Sequence, residues 1–138
     1  MDVKTAFLNG DLEEEIYMEQ PESFVVPGQE HKICILIKSL YGLKQAPKQW
    51  HAKFDSTIIS FGFTVNNYDR CVYSKVVDGR CVVVCLYVDD LLIFASDLDL
   101  VRDVKNFLSS KFDMKDLGEA NVILGIKLTK SISGITLS

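Results

Sequence analysis

The chain has 138 residues, with 15 Lys and Arg against 19 Asp and Glu, and a formal net charge of −4. This length is typical of one ordinary domain and excludes a large multidomain enzyme, while 48% hydrophobic residues exclude a disordered chain. The acidic balance weakens the electrostatic attraction that drives nucleic-acid binding, so a nucleic-acid role would need basic groups from elsewhere.

The first third of the chain reads as short elements joined by loops. Residues 2–8 form a mixed segment that ends at a turn signal, Asn9-Gly10. The acidic run at 11–15 is a solvated loop or a helix start. Short strands are predicted at 16–18 and 33–37, where β-branched and aromatic residues are dense.

A helix with clear start and stop signals is predicted after Tyr41-Gly42. Pro47 suits its first turn, and Gly62 lies just past its end. Four large apolar residues follow one stripe at helical spacing and are predicted to be core, namely Trp50, Phe54, Ile58 and Phe61.

Two hairpins are predicted in the middle of the chain. Residues 71–77 and the strand that begins at Arg80 flank Asp78-Gly79, which favours a type I′ turn. The second strand runs to Val88, and a further strand covers 91–95, with Asp89-Asp90 at the tip between them. Both arms are apolar on both faces, which is typical of strands buried on two sides.

The last third adds a helix and a hairpin. Ser96 or Asp97 caps a helix whose apolar residues recur at three- and four-residue steps, namely Leu100, Val101, Val104, Phe107 and Leu108. Residues 122–128 and 135–137 are predicted to pair around Ser133-Gly134. The fold class is therefore α+β, with an antiparallel sheet packed on helices, in one compact domain over 1–138 whose abrupt ends look cut from something longer.

The adjacent carboxylates Asp89 and Asp90 carry the clearest chemical signal. Aspartate is common in tight turns, so a plain turn is one interpretation. Two charges about 4 Å apart repel by about 4 kcal/mol at an effective dielectric of 20, so apolar flanks make this pair costly unless a cation binds. Mg²⁺ takes one or two protein carboxylates, and Asp2 is a candidate for a further one.

Five motifs in order resemble the reverse transcriptase of Ty1/copia-type LTR retrotransposons, and the resemblance covers essentially the whole chain. One Tyr-x-Asp-Asp alone is weak, whereas the set is very specific. The motifs are Met1-Asp-Val-Lys-Thr-Ala-Phe-Leu-Asn-Gly10, Ile16-Tyr-Met-Glu-Gln-Pro21, Ser39-Leu-Tyr-Gly-Leu-Lys-Gln-Ala-Pro-Lys-Gln-Trp50, Leu86-Tyr-Val-Asp-Asp90 and Leu124-Gly-Ile126.

The resemblance implies the palm of an RNA-directed DNA polymerase, a nucleotidyltransferase. Asp2 and Asp89 match the family's catalytic aspartates, and Asp90 completes the acidic tip; together they would hold two Mg²⁺ ions, with Mn²⁺ as a substitute. The reaction would transfer a deoxynucleotide from its triphosphate to a primer 3′-hydroxyl on an RNA or DNA template. The palm would be incomplete, with the fingers largely absent and no thumb or RNase H.

The resemblance also implies substrate contacts. Phe7 matches an aromatic steric gate beneath the deoxyribose, although a core aromatic is the alternative. Tyr41 and Gly42 match a segment that lines the nucleotide pocket, although Gly42 alone also suits a turn, and Tyr87 adjoins the acidic tip. The matching primer-grip hairpin holds Leu124 and Gly125, with a departure at Lys127, where the family commonly has an acidic residue. Lys115 matches the lysine of the preceding motif and is a candidate phosphate contact.

The expected partners follow from the same resemblance. They are primed template, nucleotide, and the remaining Pol segments (fingers, RNase H and integrase), in a cytoplasmic virus-like particle. The eight-residue apolar run at 81–88 is too short to span a bilayer, and the N-terminus lacks a secretory signal, so no membrane role and no secretion are expected. A truncated or domesticated remnant that acts only as an interaction module is the main alternative, and another palm-type nucleotidyl transferase or cyclase is a third.

Overall fold

The computed structural model describes residues 1–131 and 134–138. Within them the chain divides into two compact units. We call Met1–Lys4 with Phe63–Ser138 the sheet unit, and Thr5–Gly62 the helix unit. The elements of both are antiparallel strands and two α-helices, so the predicted α+β class is confirmed.

The strands, in chain order, are short except in the middle of the chain. They are β1 (Asp2–Val3), β2 (Tyr17–Glu19), β3 (Ile33–Ile35), β4 (Thr64–Val65), β5 (Val72–Val77), β6 (Arg80–Tyr87), β7 (Asp90–Ala95), β8 (Met114–Lys115), β9 (Val122–Ile123), β10 (Ile126–Ser131) and β11 (Gly134–Leu137). The helices are α1 (Ala46–Ser60) and α2 (Leu98–Lys111).

Six of the described strands build one antiparallel sheet in the order β4-β5-β6-β7-β1-β8. The two-residue turn between β5 and β6 has positive φ at both Asp78 (51°) and Gly79 (76°), which is the type I′ geometry predicted from that dipeptide. The first strand of the chain thus lies in the sheet between β7 and β8, two strands that come much later in the sequence. This insertion is what brings residue 2 beside residue 90.

The sheet is buried on one face only. On β6, Val82, Val84 and Leu86 are at most 6% exposed, whereas the alternate residues Cys81 and Tyr87 are exposed. The prediction that these strands are buried on both faces is therefore wrong, because α2 packs on one face of the sheet and the other face is left partly open.

The second helix packs on the sheet through Leu100, Val104 and Leu108, which are all buried. Of the two predicted caps, Asp97 is the one used: its carboxylate accepts hydrogen bonds from the backbone N–H groups of Asp99 (2.8 Å) and Leu100 (3.1 Å). The Leu100 N–H first, and then the guanidinium of Arg80, hold the pKa of Asp97 below its usual value.

We expect Asp97→Ala to lower the melting temperature near neutral pH, because it removes the helix cap. A carboxyl whose pKa is lowered in the folded state contributes stability above its ordinary pKa of about 3.8 and loses that contribution as pH falls through the lowered value. The difference in melting temperature between the wild type and Asp97→Ala should therefore become smaller below pH 4. Asp97→Asn, which caps without a titrating charge, is the control, and a wild-type advantage over Asp97→Ala that grows on acidification would contradict the assignment.

The helix unit is organised around α1. Trp50, Phe54 and Ile58 are buried as predicted, with the rings of Trp50 and Phe54 centred 5.7 Å apart. Phe61 was expected in the same core, but α1 ends at Ser60 and Phe61 is only half-buried, so that prediction is wrong. The residue that is buried nearby in sequence is Phe63, which belongs to the sheet unit.

A short 3₁₀ turn at residues 6–9 precedes the acidic run, which is a loop. Asp11 forms an isolated bridge with Lys38, and its carboxylate pairs with the ammonium groups of Lys38 and, at 3.2 Å, Lys53. Gly10 has an extended backbone with φ of −71°, so it is not a positive-φ turn residue. Its role is close packing, since an added Cβ would lie 3.1 Å from the Cβ of Gln49 on α1.

The end of the chain departs from the predicted pattern. Residues 122–128 were expected as one strand, but the chain turns at Leu124-Gly125 and forms β9 and β10. Pairing of β10 with β11 is confirmed, from Leu128 opposite Leu137 to Ser131 opposite Gly134, and the predicted turn residue Ser133 lies outside the described residues.

Candidate active site

The pairing of β1 with β7 sets Asp2 directly opposite Asp90. Interstrand hydrogen bonds flank this pair on both sides, from Val3 N–H to the Asp89 carbonyl (2.8 Å) and from Leu91 N–H to the Met1 carbonyl (2.7 Å). Asp2 and Asp90 are therefore a non-hydrogen-bonded pair, the position in which cross-strand side chains lie closest on a shared face. The resemblance implies that Asp2 and Asp89 share metal ions, but the residue directly opposite Asp2 is Asp90. Asp89 contacts β1 through its backbone carbonyl, which accepts the Val3 N–H.

Two like charges directly opposite one another destabilise a sheet, so this pair favours an incoming cation. Carboxylate oxygens are hard ligands, and Mg²⁺ completes a two-carboxylate site with water and phosphate oxygens. In the part of the chain that the structure describes, no set of three or more His, Cys, Asp or Glu side chains is arranged to hold a metal ion. Asp2 and Asp90 thus fit one partial Mg²⁺ site that relies on other ligands to be completed.

The hairpin between β6 and β7 turns through Val88 and Asp89, because Tyr87 pairs with Asp90. Val88 has φ of +54°, and Asp89 is not among the residues with positive φ. Positive φ at the first central residue alone is the pattern of a type II′ turn, which normally has glycine there. The predicted hairpin is present, but its turn residues are Val88 and Asp89, and the prediction that Asp90 lies at the tip is wrong because Asp90 pairs with Tyr87 as the first residue of β7. The turn holds a β-branched residue in a strained backbone conformation.

We expect Val88→Gly to stabilise the chain by about 1 kcal/mol, because left-handed backbone costs a residue with a Cβ about 1–2 kcal/mol and glycine recovers most of it. Urea unfolding would measure the change. Val76→Gly is the matched control, since Val76 lies inside β5 without positive φ, and there glycine should destabilise. Equal losses at both positions would show that the turn is not strained.

Four side chains form a row across the same face of the sheet. Strand register places Lys115 opposite Asp2, Asp2 opposite Asp90, and Asp90 opposite Tyr87, which is 56% exposed. In order, the row consists of the ammonium group of Lys115, the carboxylates of Asp2 and Asp90, and the phenol of Tyr87. A phosphate-bearing ligand at this face would meet a cationic group beside the carboxylate pair.

A cavity of about 360 Å³ adjoins the row. Its lining includes Tyr87, Asp90, Cys85 and Leu92 from the sheet and the segment at 117–124. Burial, with a smaller contribution from the charge of Asp69, raises the pKa of the Cys85 thiol, so this side chain stays protonated and acts as a small apolar group. An opening therefore lies beside Asp90 within the sheet unit.

Other predicted substrate residues lie in the helix unit. The rings of Phe7 and Tyr41 are in contact, with centroids 4.5 Å apart and planes inclined at 42°. Gly42 has φ of +97° and an added Cβ would meet nothing within 4 Å, so its conformation, and not crowding, explains the glycine. Phe7 is half-buried, and the 3₁₀ turn that carries it packs on α1.

The predicted primer-grip residues sit at a two-residue hairpin tip. Leu124 (φ 50°) and Gly125 (φ 79°) connect β9 to β10 with positive φ at both positions, as in a type I′ turn. Leu124 is 58% exposed, so an apolar side chain projects from the tip. The departure at Lys127 lies on β10, outside the turn itself.

One cluster beside the candidate residues escaped the sequence argument. Ser39 is fully buried; its hydroxyl hydrogen-bonds the Gln49 side chain, and its backbone N–H donates to the Gly10 carbonyl at 3.1 Å. These contacts tie the segment before Tyr41 to α1 and to the turn after Phe7. No spacing rule signals such a link, since its members lie in two separate motifs.

The family model described as "Reverse transcriptase (RNA-dependent DNA polymerase)" matches residues 1–138. Among the residues described, no helix is both long enough and apolar enough to span a membrane.

Curated relatives are retrotransposon proteins from plants and yeast. The chain is 55% identical over 131 residues to the retrovirus-related Pol polyprotein from transposon TNT 1-94 of Nicotiana tabacum, covering 94% of this chain and 10% of that protein. It is 35% identical over its whole length to the Pol polyprotein from transposon RE1 of Arabidopsis thaliana, of which it spans 9%. It is also 37% identical over 139 residues to a putative transposon Ty5-1 protein of Saccharomyces cerevisiae, covering 100% of this chain and 45% of that protein.

No solved structure matches the chain. The first two of these relatives are Pol polyproteins about ten times longer than the aligned segment, so the chain corresponds to one part of them. The whole-length family match and the relatives bear out the resemblance carried by the five motifs. The chain belongs to the reverse transcriptase family of Ty1/copia-type retrotransposon Pol polyproteins.

Proposed function

We propose that this chain is the catalytic palm of an RNA-directed DNA polymerase. It would transfer deoxynucleotides to a primer 3′-hydroxyl on an RNA or DNA template, with Asp2, Asp89 and Asp90 as its carboxylates. The observation that carries the proposal is the register of β1 against β7, which sets Asp2 opposite Asp90 and next to Asp89. The family to which the chain belongs supports the same reaction class.

Asp2 and Asp90 would supply the first ligands of divalent cations, with Asp89 beside them and with water and substrate phosphate oxygens completing the coordination. Mg²⁺ would be preferred, and Mn²⁺ could replace it. When bound, a pair of such ions activates the attacking hydroxyl and neutralises the charge of the triphosphate and of the leaving pyrophosphate. The role of the protein is to fix the carboxylates in place. Two strands of a packed sheet do so better than loops, because backbone hydrogen bonds on both sides of Asp2 and Asp90 set their separation.

Nucleotide and primer contacts complete the proposal. Phe7 would lie beneath the deoxyribose and exclude a ribose 2′-hydroxyl, with Tyr41 and Gly42 lining the nucleotide pocket. Tyr87 would contact the substrate from the exposed side of the row beside Asp90. The exposed tip formed by Leu124 and Gly125 would contact the primer.

Further segments would assist this palm. The net charge of −4 is unfavourable for holding template and primer, so basic fingers and other Pol segments, including RNase H and integrase, are the proposed partners. We propose that the assembly acts in a cytoplasmic virus-like particle, as the type of relatives suggests.

The test is primer extension on an RNA template, with Mg²⁺ or Mn²⁺. Residues 1–138 are assayed alone and within the tobacco TNT 1-94 Pol polyprotein, where they replace the matching segment; we call this chimera the carrier enzyme and the unmodified polyprotein the tobacco enzyme. The carrier enzyme is expected to extend primers, and Asp89→Asn to abolish extension, because an amide binds Mg²⁺ far more weakly than a carboxylate. The unmodified tobacco enzyme is the positive control.

Two outcomes would contradict the proposal. If Asp89→Asn extends primers as well as the parent carrier enzyme, Asp89 is not catalytic. If the carrier enzyme folds but does not extend while the tobacco enzyme does, the chain is a remnant that keeps the fold without the activity.

A further inference from the structure

The contact between Phe7 and Tyr41 joins residues 34 positions apart in sequence. The ring centroids are 4.5 Å apart, yet Tyr41 remains 54% exposed and Phe7 is only half-buried. Burial therefore explains little of the pair. Tyrosine side chains that keep one side accessible are enriched at binding interfaces.

The Phe7 side of the pair is built on a rigid turn. Phe7 lies in the 3₁₀ turn at 6–9, whose first residue, Ala6, is fully buried. The side-chain amide of Asn9 donates to the carbonyl oxygens of Thr5 (3.3 Å) and Ala6 (3.2 Å) and closes the turn. Thr5 enters it with φ of +50°, so the backbone there has little freedom to relax.

The Tyr41 side is fixed through its neighbour at position 39. Ser39 is 0% exposed and is bonded to Gln49 and to the Gly10 carbonyl. Gly10 itself is pressed against α1, where an added Cβ would lie 3.2 Å from the backbone nitrogen of Trp50. Phe7 lies three residues before Gly10, and Tyr41 lies two residues after Ser39. The hydrogen bond between Ser39 and Gly10 therefore links the two segments that carry the rings.

An aromatic ring can exclude a ribose 2′-hydroxyl by steric clash only if the ring cannot move away from that hydroxyl. Sites that discriminate by shape alone achieve modest ratios, and a mobile wall would reduce them further. A second ring packed against the first would supply the required resistance. Its hydroxyl need take no part.

We propose that Tyr41 is a positioning residue that holds the Phe7 ring in place, so that discrimination between deoxyribonucleotides and ribonucleotides depends on the aromatic ring at position 41. This inference rests on the proposed function, since it assigns a substrate class, the nucleotide sugar, to the same site. It differs from lining the pocket, because Tyr41 acts through Phe7.

The experiment measures kcat/KM for a deoxyribonucleotide and for the matching ribonucleotide in the carrier enzyme. Tyr41→Ala is expected to lower the ratio of the two about two- to tenfold, the range that one aromatic contact supplies. Tyr41→Phe keeps the ring and should leave the ratio unchanged. Tyr68→Ala, at a fully exposed tyrosine of the sheet unit, is the matched control and should also leave it unchanged.

The outcomes separate the two proposals. If Tyr41→Ala lowers both kcat/KM values equally, Tyr41 has only a structural role and the inference is overturned, while the polymerase assignment stands. Loss of discrimination in Tyr41→Phe would also overturn it, because the hydroxyl would then be the active feature. If the parent carrier enzyme incorporates neither nucleotide, it is the proposed function that fails.

Discussion

Asp90→Asn is expected to lower primer extension by the carrier enzyme at least about a thousandfold, which corresponds to about 4 kcal/mol of lost transition-state stabilisation. The same change should raise the melting temperature of the chain in the absence of divalent cations by about 2 °C. The reason is the register: Asp90 faces Asp2 in a non-hydrogen-bonded pair, and removal of one charge relieves a repulsion of about 0.5–1 kcal/mol.

Added Mg²⁺ and nucleotide should reverse the order of stability. A ligand that binds only the folded state raises its stability by mass action, so the parent should gain more than Asp90→Asn. Asp103→Asn, at an exposed position of α2, is the control for a general charge effect and should alter neither activity nor the response to Mg²⁺. An Asp90→Asn variant that is active, or one that is less stable than the parent without metal, would contradict the role of the pair.

Phe54→Ala is expected to destabilise the chain by about 3–5 kcal/mol, the largest single loss we predict in the helix unit. Phe54 is 0% exposed and its ring lies 5.7 Å from that of Trp50, so truncation leaves a cavity among large side chains. Because a domain has only about 5–15 kcal/mol of net stability, this change would remove much of it.

Ile59→Ala is the matched control on the same helix. Ile59 is 44% exposed, so its truncation should cost less than about 1 kcal/mol. Denaturant unfolding followed by tryptophan fluorescence measures both, since Trp50 is the single tryptophan of the chain. Losses of equal size at positions 54 and 59 would show that the predicted helical stripe does not define the core.

The helices were predictable because local chemistry and packing agree. Pro47 lies in the first turn of α1, and Trp50, Phe54 and Ile58 repeat at the helical period, so the first-turn proline and the buried stripe specify the same element. Phe61 fits the same period but lies past the last helical residue. Sequence alone places such an end only within a few residues.

The hairpins of the sheet were predictable, but which of its faces is buried was not. Asp78-Gly79 has a local turn preference that decides β5 and β6, whereas apolar residues on both faces of β6 gave no indication that α2 covers only one. The local pattern placed residues 122–128 in one strand, because leucine rarely adopts positive φ, and only the family resemblance indicated a hairpin at Leu124-Gly125.

For the candidate site, residue types were predictable and partners were not. The acidic residues stood out from their apolar flanks, and the resemblance supplied Asp2. Which carboxylate Asp2 faces depends on a single step of register, and this is a property of strand pairing that no local pattern encodes. The link from Ser39 to Gln49 and Gly10 is likewise tertiary.

The alternation within β1 has one more consequence. Val3 is 1% exposed and Asp2 precedes it, so the two side chains point to opposite faces of the sheet. A slip of one residue would send the carboxylate inward and the valine outward, at a cost that hydrophobic burial alone makes prohibitive. Burial of Val3 therefore also fixes the position of the Asp2 carboxylate. A chain in which this strand is paired out of register would be less stable even without substrate.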